Sequence, residues 1–549
     1  MSDEGKTQHR PATRTRHALA AASGLLAGYA ALAVAELVSA AVRPEAGPVV
    51  AVGSAVIDRT PAAVKDWAIR HFGTDDKLVL QLGIVAILAV IALLLGTAAL
   101  HRRRTGSAGV LLFGLVGAVA ATGRPDSEGW TDAVPSLVGG AAGAVLLYVL
   151  VGRLLPKPPA PDSPPSGDRP AATAGSAPAA AAGRDAGWDR RGFLVAAGAA
   201  AAASTAVGAG GRYLNRASGR GAVASRDAVV LPAPGSTADP IPKAARLRIP
   251  GLSPFVTPNE DFYRVDTALV VPKVDAGAWR LRIHGKGVAR SRTFTYDDLL
   301  HRDLVERDIT LTCVSNEVGG PYVGNARWIG VRLADLLADC GVRPPSHGGP
   351  ADQLIARSVD GMTLGAPVED VMDGRDALLA VGMNGEPLPF VHGFPVRMVV
   401  PGLYGFVSAC KWIEDIELTT FDSYDPYWVK RGWARKASVK TGSRIDTPKP
   451  FARPEAGTVM VAGVAWAQHR GIERVEVRVD DGPWRTADLA AQDTADTWRQ
   501  WSLPWRAAPG GHTLTVRATD RTGEVQPEKR TRTVPDGASG WHSVVVTVD

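Results

Sequence analysis

Five apolar segments near the start of the chain restrict its fold more than any other feature. A helix needs about 20 mostly apolar residues to cross a bilayer, and each segment approaches or exceeds that length. The segments cover residues 18–42, 78–100, 105–123, 133–152 and 190–211. The sequence therefore predicts an N-terminal transmembrane α-helical region, with a four-span membrane domain at residues 18–155 and a fifth membrane segment at residues 190–211.

Basic residues around these segments predict the side of the membrane on which each loop lies. Residues 1–17 are polar and basic and read as a cytoplasmic tail, and the HRRR run at residues 101–104 marks a cytoplasmic end. After a Pro/Ala-rich linker at residues 156–189, Arg190 and Arg191 resemble a twin-arginine export signal, although they could simply flank a weak span. Five spans put the rest of the chain outside. This predicts a multi-pass cell-membrane protein whose soluble part is extracytoplasmic.

Glu36 is the one charged residue in the first segment. A carboxylate inside a membrane is a candidate functional residue. Its position near the outer end of the segment instead favours a side chain that reaches the interface. The histidines near the spans lie at ends or in loops, so the sequence predicts no bis-histidine haem in the membrane.

Charge and cysteine content argue against several classes of protein. The 549 residues are too many for one core, so several domains are expected. The net charge of +6 is modest for this length, and the basic runs lie beside apolar segments rather than on a nucleic-acid surface. The three cysteines, Cys313, Cys340 and Cys410, include no CxxC pair, so zinc ribbons and thioredoxin-like motifs find no support.

Residues 308–331, DITLTCVSNEVGGPYVGNARWIGV, deliver a cysteine to the start of a loop. The first half alternates as a strand does, and a run rich in Gly, Asn and Pro follows it. A thiolate at that position is a soft ligand for a transition metal or a nucleophile. Cys313 could equally be a small buried hydrophobic residue. The residues alone leave these alternatives open.

The rest of the soluble sequence predicts strands and short helices. Residues 212–246, rich in Ala, Gly and Pro, are expected to form a spacer. Further expected features are a strand at residues 279–285, a helix capped by Thr295, an amphipathic helix at residues 331–342 and a tight turn at Asn384 and Gly385. From residue 436 onward, short alternating strands predict an antiparallel β-sandwich.

Several motifs in order resemble the sulfite oxidase family, in its bacterial, membrane-anchored actinobacterial form. They are LTCVSNEVGG with NARWIGVRLADLL, MNGEPLPFVHGFPVRMVVPGLYGF, KWIEDIEL and SRIDTPKP. The resemblance implies an α+β molybdopterin-binding oxidoreductase domain at residues 247–435. It also implies an immunoglobulin-like, dimerisation-type domain at residues 436–549, and hence a homodimer. The implied cofactor is molybdenum-molybdopterin, with Cys313 as the metal ligand.

The same resemblance assigns the other site residues. Cofactor-binding candidates are Asn259, Phe262, Tyr263, His392, Arg397, Ser408 and Lys411. Arg397 suits the pterin phosphate, because arginine binds phosphate through two hydrogen bonds. The alternatives are core packing for the two aromatic residues and for His392, and a strand-capping salt bridge for Arg397. Arg264 and Arg327 join Cys313 as catalytic candidates, as contacts to an anionic substrate.

The implied reaction is a two-electron oxo-transfer on a small S- or N-oxide or oxyanion substrate. Relatives carry arginines soon after the metal cysteine, where this chain has residues 314–318, and a tyrosine where it has Val381 or Gly382. Both departures predict weak recognition of sulfite. A separate cytochrome or quinone-linked partner would carry the electrons. The alternatives are a true sulfite oxidase, a thiol-nucleophile enzyme, and a membrane-anchored binding protein with a degenerate pocket.

Overall fold

The computed structural model describes residues 10–60, 64, 71, 76–155 and 190–549. The chain forms two compact units, Met1–Ser218 and Gly219–Asp549. The first half of the predicted cytoplasmic tail and the whole of the predicted linker at residues 156–189 lie outside the described residues.

The first unit is helical because its sequence is rich in Ala, Leu and Val. Its helices are Arg10–Val42, Pro48–Arg59, Asp76–Ala99, Arg103–Thr122, Val134–Leu154 and most of Arg190–Asp227, with short 3-10 turns at Pro44–Ala46 and Trp130–Ala133. The stretches long and apolar enough to cross a membrane are Arg14–Val42, Leu78–Ala99, Arg103–Thr122, Trp130–Leu154 and Arg191–Asp227. Within the described residues these agree with the five predicted segments. The side on which each loop lies stays a prediction.

Small residues let these helices approach closely. A side chain at Gly24 would meet the Ala92 carbonyl, so the first helix and Asp76–Ala99 touch through their backbones. The carboxylate of Glu36 accepts a hydrogen bond from Asn215 Nδ2 at 2.9 Å, which links the first and last helices of the unit.

The predicted spacer at residues 212–246 begins inside a helix. The last helix of the first unit continues to Asp227, because no proline or turn sequence interrupts it before that residue. Its end belongs to the second unit, where Arg226 Nε donates to the Leu388 carbonyl at 2.8 Å. The chain after it also pairs, through Gly235 N to the Leu304 carbonyl at 2.8 Å. The second compact unit therefore begins at Gly219 rather than at residue 247.

The first part of the second unit is α+β, as predicted. Its strands are β1 Arg280–Gly285, β2 Arg292–Thr295, β3 Val305–Thr312, β4 Val323–Arg332, β5 Gln353–Ser358, β6 Thr363–Pro367, β7 Leu378–Met383, β8 Glu386–Pro387, β9 Arg397–Val399 and β10 Ile413–Thr419. Its α-helices are Tyr296–Leu300, Leu333–Asp339, Val368–Met372 and Gly405–Ser408. One sheet has the order β2-β1-β10-β5-β6, and the other has β3-β4-β7-β8 with β9 on β7.

The predicted helix cap at Thr295 and the predicted turn at Asn384 and Gly385 are both present. Thr295 Oγ1 accepts from Asp298 N at 3.0 Å and Thr295 N donates to Asp298 Oδ2 at 2.7 Å, which forms a full capping box. Asn384 and Gly385 have φ values of 52° and 85°, as a two-residue hairpin turn requires. The predicted helix at residues 331–342 is shorter, Leu333–Asp339, because β4 runs on to Arg332.

The second part of this unit is an all-β sandwich with its own core. Its strands are β11 Gly442–Thr447, β12 Gly457–Trp466, β13 Ile472–Val479, β14 Arg485–Thr486, β15 Asp488–Leu489, β16 Arg499–Ala507, β17 Gly510–Asp520 and β18 His542–Val548. The two sheets are β11-β12-β16-β15 and β14-β13-β17-β18. Side chains from both sheets, including Trp501, Val475 and Val546, share the core. The β-sandwich prediction is confirmed, and its immunoglobulin-like character stays a prediction.

Candidate functional site

Cys313 lies in the loop that follows β3, as predicted. Its amide donates to the Tyr322 carbonyl at 2.9 Å, and its carbonyl accepts from Asn316 N at 3.0 Å. Ser315 N lies 3.4 Å from the Cys313 sulfur and donates to it. The Asn316 side chain accepts from Tyr322 N at 2.8 Å, which closes the loop on itself. The thiol is thus presented by a loop with its own hydrogen bonds.

The surroundings of Cys313 keep it protonated unless a cation takes the place of the proton. Burial raises the pKa of the thiol above its usual range, while the Ser315 hydrogen bonds and the charge of Lys411 act in the opposite direction. A nucleophilic cysteine needs a lowered pKa. A metal-binding cysteine does not, because the metal itself displaces the proton. The environment favours a ligand over a nucleophile.

Phe262 and Tyr263 separate into two roles. Phe262 is buried, packs edge-on against Trp328 and His392, and stacks on Tyr263 with centroids 5.1 Å apart. Its core-packing alternative therefore holds. Burial and, secondarily, the nearby Cys313 raise the pKa of the Tyr263 hydroxyl far above its usual range, while Arg397 acts against them. Tyr263 thus lies near both Cys313 and Arg397.

Arg397 is a buried cation with no carboxylate partner in the part of the chain that the structure describes. Its side chain, at the start of β9, is only 5% exposed. Nη1 donates to the His392 carbonyl at 3.1 Å, the guanidinium lies over the Trp328 ring at 5.0 Å, and Nε has no hydrogen-bond partner in the described chain. Burial lowers its pKa to about 10. The predicted salt-bridge alternative finds no counterpart among the ion pairs of the described residues.

His392 and Asn259 form one hydrogen-bonded arrangement. His392 Nε2 lies 2.7 Å from the Asn259 carbonyl, which fixes the proton on that nitrogen. Burial first, then Arg397 and Lys411, lower the pKa of His392 to about 4, so the ring is neutral at pH 7. The Asn259 amide donates to Glu386 Oε1 at 2.5 Å and accepts from Asn384 Nδ2 at 2.8 Å. This amide holds the β7–β8 hairpin, while the backbone of Asn259 holds His392.

Lys411 and Arg264 share a carboxylate that sequence reasoning missed. Asp266 is buried and its Oδ2 accepts from Lys411 Nζ at 2.7 Å and from Arg264 Nε at 2.9 Å. The spacing of Arg264 and Asp266, two residues apart in an extended segment, was the available signal. With Arg397, these cations all contribute to the lowered pKa of His392, so they surround one region.

Arg327 and Ser408 do not join this group. Arg327 forms a two-point contact with Asp308, Nε to Oδ1 at 2.9 Å and Nη2 to Oδ2 at 2.6 Å. Arg327 pairs with Asp308 in the β3–β4 ladder, and the last pair before the Cys313 loop is Thr312 with Val323. Arg327 is therefore four residues, or about 13 Å along the strands, from the end of the ladder at Cys313. The Ser408 hydroxyl contacts the carbonyls of Leu403 and Tyr404 at 3.1 and 3.0 Å. The catalytic role predicted for Arg327 finds no support in this geometry.

The cysteines other than Cys313 have different settings. Cys340 lies in the hydrophobic core at the end of the helix Leu333–Asp339. Cys410 is buried near Arg397, and burial raises the pKa of its thiol above the usual range. All three cysteines are free, so Cys340 and Cys410 form no bridge. The sequence offered no further signal for Trp328, whose place beneath Arg397 depends on tertiary packing.

Comparison with known proteins finds two family domains in the second unit. The family model for the oxidoreductase molybdopterin binding domain matches residues 268–428, and that for the Mo-co oxidoreductase dimerisation domain matches residues 438–549. Mitochondrial sulfite oxidase of Mus musculus is 32% identical, over 54% of this chain and 62% of that protein. The chain thus spans less than two thirds of the mouse protein.

Two further matches were found. Sulfite oxidase of Gallus gallus is 30% identical, over 50% of this chain and 68% of that protein. The crystal structure of the sulfane dehydrogenase SoxCD from Paracoccus pantotrophus is 26% identical with a TM-score of 0.46, covering 54% of this chain and 84% of that one. On the family models and the avian relative, the chain belongs to the sulfite oxidase family of molybdopterin-binding oxidoreductases.

Proposed function

We propose that this chain is an exported, membrane-tethered molybdenum-molybdopterin oxidoreductase that carries out two-electron oxo-transfer on a small S- or N-oxide or oxyanion. The observation that carries the proposal is the buried guanidinium of Arg397. It has no acidic partner among the described residues, and it lies near Tyr263, whose pKa is also influenced by Cys313. A buried charge without a partner destabilises the fold, so the surroundings of Arg397 suit an anionic group.

The residues present fit the molybdopterin cofactor. Arg397 Nε is a buried donor with no partner among the described residues, and a phosphate oxygen would satisfy it. A side chain at Gly393 would lie 3.0 Å from Arg397 Cβ and 3.1 Å from Lys411 Cβ, so this glycine brings the two cation-bearing segments together. Arg397 and Lys411 would hold the phosphate end, His392 would accept a hydrogen bond from a donor group of the cofactor, and Cys313 would hold the metal.

When bound, the cofactor supplies the two-electron redox chemistry of molybdenum. The protein's part is to hold and orient it. His392 stays neutral, with its Nε2 proton held by Asn259, so its other ring nitrogen can accept a hydrogen bond. Tyr263 keeps its hydroxyl proton at any ordinary pH and therefore acts as a neutral donor beside Cys313.

Substrate preference is proposed from the charges that are already neutralised. Arg264 is paired with Asp266, and Arg327 with Asp308. Asp308 compensates the charge of Arg327, and Arg264 and Lys411 together have the one carboxylate of Asp266, so at most one of these positive charges is left for a dianion. This favours a less charged S- or N-oxide over sulfite. The relatives named sulfite oxidase keep sulfite as the second candidate.

Membrane tethering is proposed from the five apolar helices and from Arg190 and Arg191, which begin the fifth. Export would place the molybdopterin domain on the extracytoplasmic side of the cell membrane. A separate cytochrome or quinone-linked protein would exchange electrons with it. The family match of residues 438–549 to a dimerisation domain supports a homodimer.

The test of the metal site compares two buried cysteines of the same domain. Cys313→Ser replaces a soft thiolate by a poor ligand and should abolish turnover, by about a hundredfold or more, in a folded chain. Cys340→Ser is the matched control and should retain molybdenum and activity. Full activity of Cys313→Ser, or a wild-type chain without molybdenum, would overturn the proposal.

The substrate is tested by steady-state turnover with an artificial electron carrier. Sulfite and a panel of S-oxides and N-oxides should be assayed in both directions. We expect weak or no sulfite oxidation and faster turnover of a less charged S- or N-oxide. Fast turnover of sulfite with a micromolar KM would instead make the protein a true sulfite oxidase.

A further inference from the structure

We infer that the C-terminal β-sandwich positions the Cys313 loop, residues 313–322, through the side chains of Arg444 and His542. The inference rests on the proposed function, because the position of Cys313 matters for turnover only if Cys313 holds the metal. It goes beyond that function by giving the second domain a part in the metal site of the same subunit. Arg444 and His542 are then positioning residues rather than catalytic ones.

Arg444 reaches from β11 to the loop. Its Nη1 donates to the Gly320 carbonyl at 2.8 Å. Its Nε donates to Asp446 Oδ1 at 2.6 Å, and its Nη2 donates to Ser253 Oγ at 3.0 Å. Since the residue is only 9% exposed and two of its nitrogens are bonded to Asp446 and Ser253, the guanidinium is held independently of its contact with the loop. It therefore acts as a rigid support for Gly320.

His542, at the start of β18, packs against the neighbouring residue. A side chain at Gly319 would lie 2.2 Å from His542 Cδ2, so the ring occupies the space beside that glycine. His542 Nδ1 accepts from Ile445 N at 3.0 Å, which fixes the ring plane. Gly319 has a φ of 81°, a conformation that glycine adopts without strain. The turn at Gly319 therefore depends on the small size of the glycine and on its contact with the His542 ring.

The turn connects to Cys313 through hydrogen bonds inside the loop. Gly320 N donates to the Glu317 carbonyl at 2.8 Å, and Tyr322 N donates to Asn316 Oδ1 at 2.8 Å. Asn316 N in turn donates to the Cys313 carbonyl at 3.0 Å. A shift at Gly319 or Gly320 is therefore transmitted to Cys313 through consecutive hydrogen bonds.

The sandwich also holds the strand on the other side of Cys313. Gln468 Nε2 donates to the Thr310 carbonyl at 3.0 Å and to Thr312 Oγ1 at 2.8 Å. Trp498 N donates to Thr310 Oγ1 at 2.7 Å. The backbone is thus held by the second domain both before and after Cys313, which is how a metal ligand is kept in one position.

The test measures how accessible the Cys313 thiol is in protein that holds no metal. The full chain is prepared in detergent without cofactor, and the rate of iodoacetamide modification is followed by mass spectrometry at each cysteine. Arg444→Ala should raise the modification rate of Cys313 about tenfold, since a buried hydrogen bond from a charged group is lost. Cys340 and Cys410 in the same molecules should react at unchanged rates.

Three further variants complete the test. Arg444→Lys, which can still donate to Gly320, should raise the Cys313 rate by only about threefold, and His542→Ala should have an effect of about the same size. Arg517→Ala is the matched control, because Arg517 is a partly buried arginine of the same sandwich whose carboxylate partner is Glu476. Its Cys313 rate should equal that of the wild type.

Unchanged Cys313 modification in both Arg444→Ala and His542→Ala would overturn the inference. An equal rise at all three cysteines would overturn it too, because that is general loosening of the fold. If Arg444→Ala does not fold, Arg444→Lys and His542→Ala still decide the matter. The proposed function is judged separately by the molybdenum content of the wild type, on which this labelling does not depend.

Discussion

Two regions of the molybdopterin domain each hold an arginine, partly buried Arg327 in one and buried Arg397 in the other, and their surroundings differ. Arg327 lies on β4 with Asp308 bonded to it at 2.6 and 2.9 Å and Glu306 at 3.5 Å. Arg397 lies on β9 over Trp328, bonded to one backbone carbonyl, with Nε free of any partner in the described chain. The first charge is neutralised by the protein. The second is left for something else to neutralise.

The partner of a charged side chain distinguishes a structural charge from one that lies at a ligand site. A protein stabilises a buried arginine with carboxylates when the role is structural, since an unpaired buried ion destabilises the fold by several kcal/mol. An unpaired one persists where a bound anion supplies the missing partner.

Removal of Arg397 should have the largest effect. Arg397→Ala takes away the charge-assisted contact to the cofactor phosphate, at a loss of about 2–5 kcal/mol of binding free energy. Cofactor occupancy should fall by at least about thirtyfold at limiting cofactor. Pterin released from purified protein, measured by fluorescence, checks this. Arg397→Lys keeps the charge without the two-point geometry and should fall between Arg397→Ala and the wild type.

Removal of Arg327 should affect stability instead. Arg327→Ala leaves the buried carboxylate of Asp308 without its partner and should lower the free energy of unfolding by about 3 kcal/mol. Pterin content per folded chain should stay at the wild-type level. The double variant Arg327→Ala with Asp308→Asn should recover part of the stability. Loss of pterin from folded Arg327→Ala would erase the contrast between the two arginines.

Lowering the pH should change the free energy of unfolding in opposite directions through His392 and through Asp493. The pKa of His392 is lowered to about 4, so the unfolded chain binds its proton first and stability falls as the pH drops from about 6.5 to 4. This amounts to about 2 kcal/mol at pH 5 relative to pH 7.5. Near Arg327, burial and Asp308 raise the pKa of Asp493 to about 6. The folded chain therefore binds this proton more tightly than the unfolded chain, and the contribution of Asp493 to the free energy of unfolding falls as the pH rises from 3.8 to 6.

Thermal unfolding of the variants at several pH values separates these contributions. His392→Gln should flatten the stability profile of the second unit between pH 6.5 and 4. Asp493→Asn should make the same profile steeper, because it removes the opposing contribution. A profile unchanged by His392→Gln would mean that the ring is not held neutral in the folded state.

The sequence predicted what depends on local patterns. The Thr295 capping box, the Asn384–Gly385 turn and the loop position of Cys313 follow from neighbours in the chain. The family resemblance assigned His392, Arg397 and Lys411 to one site, and in the structure the charges of Arg397 and Lys411 both act on His392. Their part in cofactor binding stays a prediction.

What could not be predicted depends on contacts between distant segments. The pairing of Arg327 with Asp308 needs the β3–β4 register, which the sequence did not specify. The role of Asp266 depends on Lys411, which lies far along the chain. The support from Arg444 depends on how the sandwich meets the Cys313 loop. The helix Arg190–Asp227 passed its predicted end because composition alone did not distinguish a spacer from a helix.

X-ray absorption at the molybdenum edge tests directly whether Cys313 binds molybdenum. Wild type and Cys313→Ser should be compared at matched molybdenum content, with Cys340→Ser as the control. We predict one sulfur ligand fewer in Cys313→Ser and an unchanged shell in Cys340→Ser. The same number of sulfur ligands in all three proteins would show that Cys313 does not bind molybdenum.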